Sequence, residues 1–476
     1  MKDTEPIAEP LDELAPGTPP DGQEEVASDA PIAEDEGHAM LFSARDLRLL
    51  LIPLILELTF KMVVGMVDSV MVASVGETAV SGVSMIDSVI QLMINIFSAM
   101  ATGGAVVAGQ YFGSRKNKEA NEAADELVWL DGAISLALMV LAYLLADWIV
   151  GSLFGSVEPA VEQAAREYLM IIALSIPAIA LLEAGNALFR VVGNTRVSML
   201  VSILMNIINC SGNALLIYGF GMGVRGAAIS TLVARWTAVI IIMVLLYAPG
   251  QQLELTASIT HRFDIDMCKR ILGVGIPNGI ENGLFQMGKI ALVRIAASFG
   301  TIALTANSVT QNLSSIQMVP GNAVSLATVP IVARCVGARE FDQARHYHRT
   351  LLKVAYALEL VVAGIMMLSL PAILGLYDRS NETAALAREM FTWYCLGNIT
   401  LWPIAFVTPS ALRAAGDVRF TMVVSITVMW VFRFGGAWVL AYKLGFGAVG
   451  IWIAMSVLDW IVRGAVYTWQ IGRAHV

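Results

Sequence analysis

Few residues in this chain carry charge. Asp, Glu, Lys and Arg make up 14% of its 476 residues, where a soluble globular domain has about a quarter, and that shortage excludes an ordinary water-soluble fold. Cysteine is equally sparse: Cys210, Cys268, Cys335 and Cys395 share no metal-ligand spacing and read as isolated buried thiols. Acids rather than an apolar run follow Met1 and Lys2, so no cleavable signal peptide is expected. There is no G-x4-G-K-S/T phosphate loop, hence no ATP drive within the chain, and neither H-E-x-x-H nor G-x-S-x-G to suggest a hydrolase. The chain is expected to have no enzymatic activity, no cofactor and no nucleic-acid partner.

What is present is apolar: 57% of residues are hydrophobic and mean hydropathy is +0.69, the composition of a multi-pass membrane protein. Acidic charge is concentrated at one end. Residues 1–40 hold 12 acids against Lys2 alone, with six prolines, and the remainder carries 27 acids and 29 bases. Residues 1–40 therefore read as a disordered acidic cytoplasmic leader, 41–250 as an N-lobe, 251–268 as a cytoplasmic linker and 269–476 as a C-lobe.

Apolar runs predict twelve crossings near 47–72, 80–110, 126–151, 163–189, 197–219, 226–248, 269–297, 303–333, 351–376, 385–412, 419–443 and 449–471. Arg and Lys gather in alternate loops: Arg115, Lys116 and Lys118; Arg190 and Arg196; Arg262, Lys269 and Arg270; Arg339, Arg345, Arg349 and Lys353; Arg413 and Arg419. The intervening loops are nearly free of them, which predicts that both termini are cytoplasmic. His346 and His348, in one of the basic loops, read as solvated.

The chain is also duplicated. A shift of 224 carries Pro53, Glu57, Ser74, Gly76, Gly113 and Arg115 onto Pro277, Glu281, Ser298, Gly300, Gly337 and Arg339. A shift of 223 carries Arg190, Gly193, Arg196 and Ser202 onto Arg413, Gly416, Arg419 and Ser425. With six crossings per copy, both copies enter the membrane in the same sense. The fold expected is an all-α membrane protein of twelve transmembrane helices, in two six-helix lobes related by a pseudo-twofold axis along the membrane normal.

Function is sought where the copies differ. The first crossing carries Glu57, Lys61 and Asp68 on one helical stripe behind Pro53, and ionisable groups at that depth usually mark an ion or substrate path. Asp68 falls opposite Leu292. Asn186, Asn209, Asn213 and Thr231, on the fourth to sixth crossings, fall opposite Pro409, Phe432, Gly436 and Met455. Oxygen-bearing side chains in one lobe thus face partners without a side-chain oxygen in the other. A carboxylate with amide and hydroxyl oxygens suits a hard cation such as Na⁺, and the carboxylate can instead take a proton. Interhelical hydrogen bonding is the competing reading for each Asn or Thr taken singly.

These residues resemble the multidrug and toxic compound extrusion (MATE) transporters, over roughly residues 45–472. The resemblance is carried by P-x3-E-x10-D from Pro53 through Glu57 to Asp68, GQYFGS at 109–114, FRVVGNTR at 189–196 and NIINCSGNALLIYG at 206–219. It implies twelve helices in two lobes and a monomer in the plasma membrane. It also implies export of amphipathic, often cationic, drugs or metabolites against entry of Na⁺ or H⁺. The helix-one hinge would be Pro53, and the cation or proton site Asp68, Asn186, Asn209, Asn213 and Thr231. Na⁺ would sit among Asp68, Asn209, Asn213 and Thr231. Asn213 stands where several relatives have a second aspartate, so the site has one carboxylate fewer. Glu281 is placed nearest the acid that family members use on helix seven, and Glu57 and Lys61 join it as cavity candidates.

Other charges allow bland readings. Glu57 with Lys61, and Asp459 with Arg463, have the i,i+4 spacing of neutralising pairs. Lys289, Arg294 and Arg433 have no partner evident in the sequence and would either balance Glu281 or admit anionic substrates. A lipid-linked-precursor or oligosaccharide flippase of related fold is the nearest rival function. A sugar-type facilitator and a non-transporting membrane receptor are more distant ones.

Overall fold

The structure, a computed structural model, describes residues 40–151, 158–250, 252–253, 255, 262–376 and 381–473. The acidic leader up to residue 39 and linker residues 251, 254 and 256–261 fall outside the described residues, which contain helices and no strand. The helices are α1 (Ala44–Ala73), α2 (Glu77–Gly113), α3 (Asn117–Leu144), α4 (Pro159–Val191), α5 (Thr195–Gly219), α6 (Gly223–Leu246) and α7 (Ile265–Ser298). They continue as α8 (Thr301–Gln317 with Val319–Gly337), α9 (Phe341–Leu376), α10 (Asn381–Thr400 with Trp402–Ala414), α11 (Val418–Lys443) and α12 (Val449–Arg473).

The start of α1 is written in the sequence. Ser43 and Asp46 form a capping box, the Asp46 amide donating to Ser43 Oγ (3.2 Å) and the Ser43 amide to Asp46 Oδ2 (2.8 Å). Among the described residues, ten helices are long and apolar enough to cross a membrane and the bent pair in α10 makes an eleventh. The remaining crossing is α7, whose Asn278, Glu281, Asn282, Gln286, Lys289 and Arg294 make it the polar member of the set.

Two expected single runs are broken. α8 interrupts at Met318 ahead of Pro320, and α10 bends by 49° at Leu401 ahead of Pro403. Proline lacks an amide donor and its ring excludes the preceding turn, so each restarts a helix instead of continuing one. The matching α4 tightens at Ala173–Ser175 ahead of Pro177. Burial also corrects one reading: His348 is buried, and so is not a solvated loop residue, while His346 stands edge-on to Tyr347 at 5.6 Å.

Paired contacts show the twofold relation of the lobes. A Cβ on Gly113 would lie 2.1 Å from the Arg334 carbonyl oxygen, and one on Gly337 would lie 1.9 Å from that of Gln110. The 224-residue shift interchanges the two contacts, as a twofold axis between α2 and α8 requires. The next loops repeat the geometry, with Arg115 and Arg339 both at φ 59°. Ser74 bonds Tyr218 (3.0 Å), and Ser298 bonds Tyr442, 224 residues on. Apolar packing is reciprocal too: Leu50, Leu51 and Leu54 of α1 join the C-lobe core, while Met267 and Ile271 of α7 join an N-lobe core. Gly113→Ala and Gly337→Ala should each lower thermal stability by about 1–3 kcal/mol, since neither backbone can retreat far. An unchanged melting temperature for either variant would count against this crossing.

A polar stripe runs along α2 through Ser84, Asp87, Ser88 and Gln91, and its counterpart along α8 through Ser308, Gln311, Asn312 and Ser315; all eight are exposed. Ser88, Ser308 and Ser315 bond carbonyls of their own helices, but lipid would leave the carboxylate and amides of Asp87, Gln91, Gln311 and Asn312 short of partners, so the stripes mark a wet cleft between the lobes.

Candidate functional site

Asp68 lies on α1 about four turns beyond Pro53. Asn209 and Asn213, four residues apart, share one face of α5, and Thr231 projects from α6. The Asn213 side-chain amide donates to Asp68 Oδ1. The Asn209 amide donates to Thr231 Oγ1 (2.9 Å), and Ser230 Oγ holds the Asn209 main-chain carbonyl (2.6 Å). Gly212 lets α5 lie close on α6, since a Cβ there would stand 2.4 Å from Ser230 Oγ. Immediately after Asn213, α5 widens into π-helical turns at Ala214–Gly219, a geometry that recurs at functional sites.

One acceptor in this group is unused. Asn213 is fully buried and its Oδ1 has no hydrogen-bond partner. A buried, unpartnered oxygen beside a carboxylate is what a bound cation would satisfy. The described residues hold no cluster of three or more His, Cys, Asp or Glu that would suit a tightly held transition metal.

The other sequence candidates are placed differently. Asn186 is buried on α4 with its side-chain oxygen unpartnered, and it makes no bond to the Asp68 group. Glu57 is buried and accepts from Ser202 (3.2 Å); Lys61 is exposed and forms no salt bridge with it. Glu281 is paired with Arg413 (3.1 Å). The Asp459–Arg463 pair does form, at 3.0 Å.

Three residues that the sequence reading passed over belong here. Asp87 of α2 accepts from the Tyr168 hydroxyl (3.0 Å), and the Arg235 guanidinium of α6 interacts electrostatically with both Asp87 and Asp68. Arg235 is held in turn by Ser175 Oγ (2.7 Å). Two carboxylates and one guanidinium thus lie within electrostatic reach of one another in the N-lobe.

The equivalent place in the C-lobe is occupied by different chemistry. The shift between the copies changes from 223 at Ser202/Ser425 to 224 at Tyr218/Tyr442, so α11 has one extra residue between them. The π-helical turns at Val428–Gly435 accommodate it. Arg433 is consequently the buried residue opposite Asn209, while Phe432, which the sequence alignment put there, is 37% exposed. The pairing confirms the register: Asn209 contacts Thr231, and Arg433 contacts Met455, the Thr231 counterpart, at 2.7 Å.

Known proteins match this architecture. The MatE family model aligns with residues 53–215 and again with 277–439, two matches offset by 224. The chain belongs to the MATE family of multidrug transporters. This MATE protein is 29% identical over 423 residues, 87% of its length and 90% of the relative's, to the uncharacterized transporter YisQ of Bacillus subtilis (strain 168). It is 26% identical over 430 residues to the probable multidrug resistance protein NorM of a Bacillus licheniformis strain, covering 89% and 94% of the two chains. A multidrug resistance MATE family transporter of the MOP superfamily, solved in an outward-facing conformation, superposes with a TM-score of 0.84 at 19% identity, covering 90% of this chain and 96% of that one.

Proposed function

We propose that this MATE protein is a secondary active exporter of amphipathic compounds, driven by Na⁺ or H⁺ entering through the N-lobe pocket. The single observation that carries this reading is the group Asp68, Asn213, Asn209 and Thr231, an acidic pocket with one buried oxygen left unsatisfied, in one lobe of a duplicated scaffold. With the cleft open outward, a cation or proton neutralises Asp68. The charge change permits α1 to bend near Pro53, where a main-chain hydrogen bond is already missing. The lobes then rock, the ion leaves to the cytoplasm, and substrate is collected there. Both termini and the basic loops lie on the cytoplasmic side of the plasma membrane, and the monomer is the working unit. The membrane potential adds about 2.3 kcal/mol per charge per 100 mV to the drive.

Dye efflux from proteoliposomes, with Na⁺ and pH gradients imposed separately, tests the reading. One of the two gradients should drive export and its dissipation should stop it. Export indifferent to both would contradict an ion-coupled mechanism.

A further inference from the structure

The cleft in the C-lobe at the place equivalent to the Asp68 pocket is lined by Lys289, Leu292, Asn307, Gln311, Arg433 and Met455, with Trp452 behind. The shift relates it to the N-lobe pocket position by position. Leu292 stands for Asp68, Gln311 for Asp87, Arg433 for Asn209 and Met455 for Thr231, and Asp459 replaces Arg235. Two acids and a base in one lobe become bases around a single acid in the other.

The charges in the C-lobe do not cancel. Asp459, fully buried, is shared by Arg463 (3.0 Å) and Arg433 (3.5 Å), and Arg463 is further held by Ser425 Oγ (2.6 Å). Lys289 has no carboxylate partner; its ammonium sits 5.4 Å from the centroid of the Phe285 ring, which both arginines also face. Glu281, about two turns before Lys289 on α7, is occupied by Arg413. Arg433 is 6% exposed and its Nε–H has no acceptor. A buried guanidinium donor without a partner, next to an unpaired ammonium in an open cleft, lacks an anion. The cavity itself is small, about 30 Å³, room for one compact anionic group with the rest of its carrier outside.

We infer that this C-lobe cleft is a binding site for an anionic group, a carboxylate, sulfonate or phosphate on an aromatic or apolar body, held by Lys289 and Arg433. The inference rests on the exporter reading for its biological use and deepens it. The transported class then includes amphipathic anions or zwitterions, whose negative end sits at Lys289 and Arg433 and whose apolar part lies along Leu292, Val293 and Met455. Cation and substrate anion would occupy corresponding places in the two lobes, so neither displaces the other directly.

Equilibrium binding to the full chain in phosphatidylcholine nanodiscs tests this without any gradient. The probes are fluorescein, an anionic xanthene dye, and rhodamine 6G, a cationic dye on the same ring system, with empty nanodiscs as the blank. Wild-type protein should bind fluorescein saturably. Lys289→Gln should weaken it about tenfold, the size of one lost charge-assisted contact. Lys289→Glu should weaken it further and favour rhodamine 6G, while Arg433→Lys, which keeps the charge and the Asp459 pairing, should retain most of the affinity. Absence of saturable fluorescein binding, or equal affinity in wild type and Lys289→Gln, would overturn the site. Nanodiscs containing phosphatidylglycerol separate the two sources of anion: displacement of fluorescein assigns the cleft to a lipid headgroup, and retention assigns it to soluble anions. Intact binding with no gradient-driven export by the wild type would refute the exporter reading and leave the anion site standing.

Discussion

Asp68→Asn is expected to reduce gradient-driven export by about 100-fold, the equivalent of about 2.7 kcal/mol, while the protein folds and reaches the membrane normally. The substitution is nearly isosteric. It preserves a partner for the Asn213 amide but removes the negative charge that neutralises a cation and the carboxylate that takes a proton. Asp87 cannot take over, because it is already engaged by the Tyr168 hydroxyl and is placed on a different helix. Efflux in proteoliposomes, paired with size-exclusion and melting curves, separates lost coupling from lost folding. Export at the wild-type rate would remove Asp68 from the mechanism.

The second large effect concerns stability. Asp459 is the one acid paired with both Arg433 and Arg463 within the C-lobe, where all three are nearly inaccessible. Asp459→Ala strands two guanidinium groups together and should cost about 3–5 kcal/mol, the penalty of breaking a buried ion pair from one side. It should appear as a sharp fall in yield and melting temperature. Adding Arg433→Met to that variant should restore part of the loss, because an apolar replacement for a buried charge is often neutral. A single Asp459→Ala variant as stable as the parent would mean that water, rather than Asp459, compensates these arginines.

The duplication made much of this molecule legible. The 224-residue repeat is enough to give two lobes, and comparison of the repeats isolates Asp68, Asn186, Asn209, Asn213 and Thr231, of which the structure ties all but Asn186 into two hydrogen-bonded pairs. The same comparison explains what was missed. Asp87 falls opposite Gln311, which also bears oxygen, so a search for oxygen in one copy only passes over it. Arg433 was misaligned by one because the inserted residue lies inside a helix, where widened turns absorb it and no loop signals it. Glu57 and Lys61 have the spacing of a pair, yet Ser202 on another helix reaches the carboxylate first; such competition is tertiary and invisible in one helix's sequence. Pro320 and Pro403 were visible, but membrane helices accommodate proline either as a kink or as a break, and packing decides which.

Counterflow tests the central claim most directly. A fluorescent substrate gradient imposed on proteoliposomes should drive Na⁺ or H⁺ in the opposite direction, read with an ion-sensitive dye, through wild-type protein and not through Asp68→Asn. Ion counterflow of equal size through both proteins would show that the coupling ion does not pass by the N-lobe carboxylate.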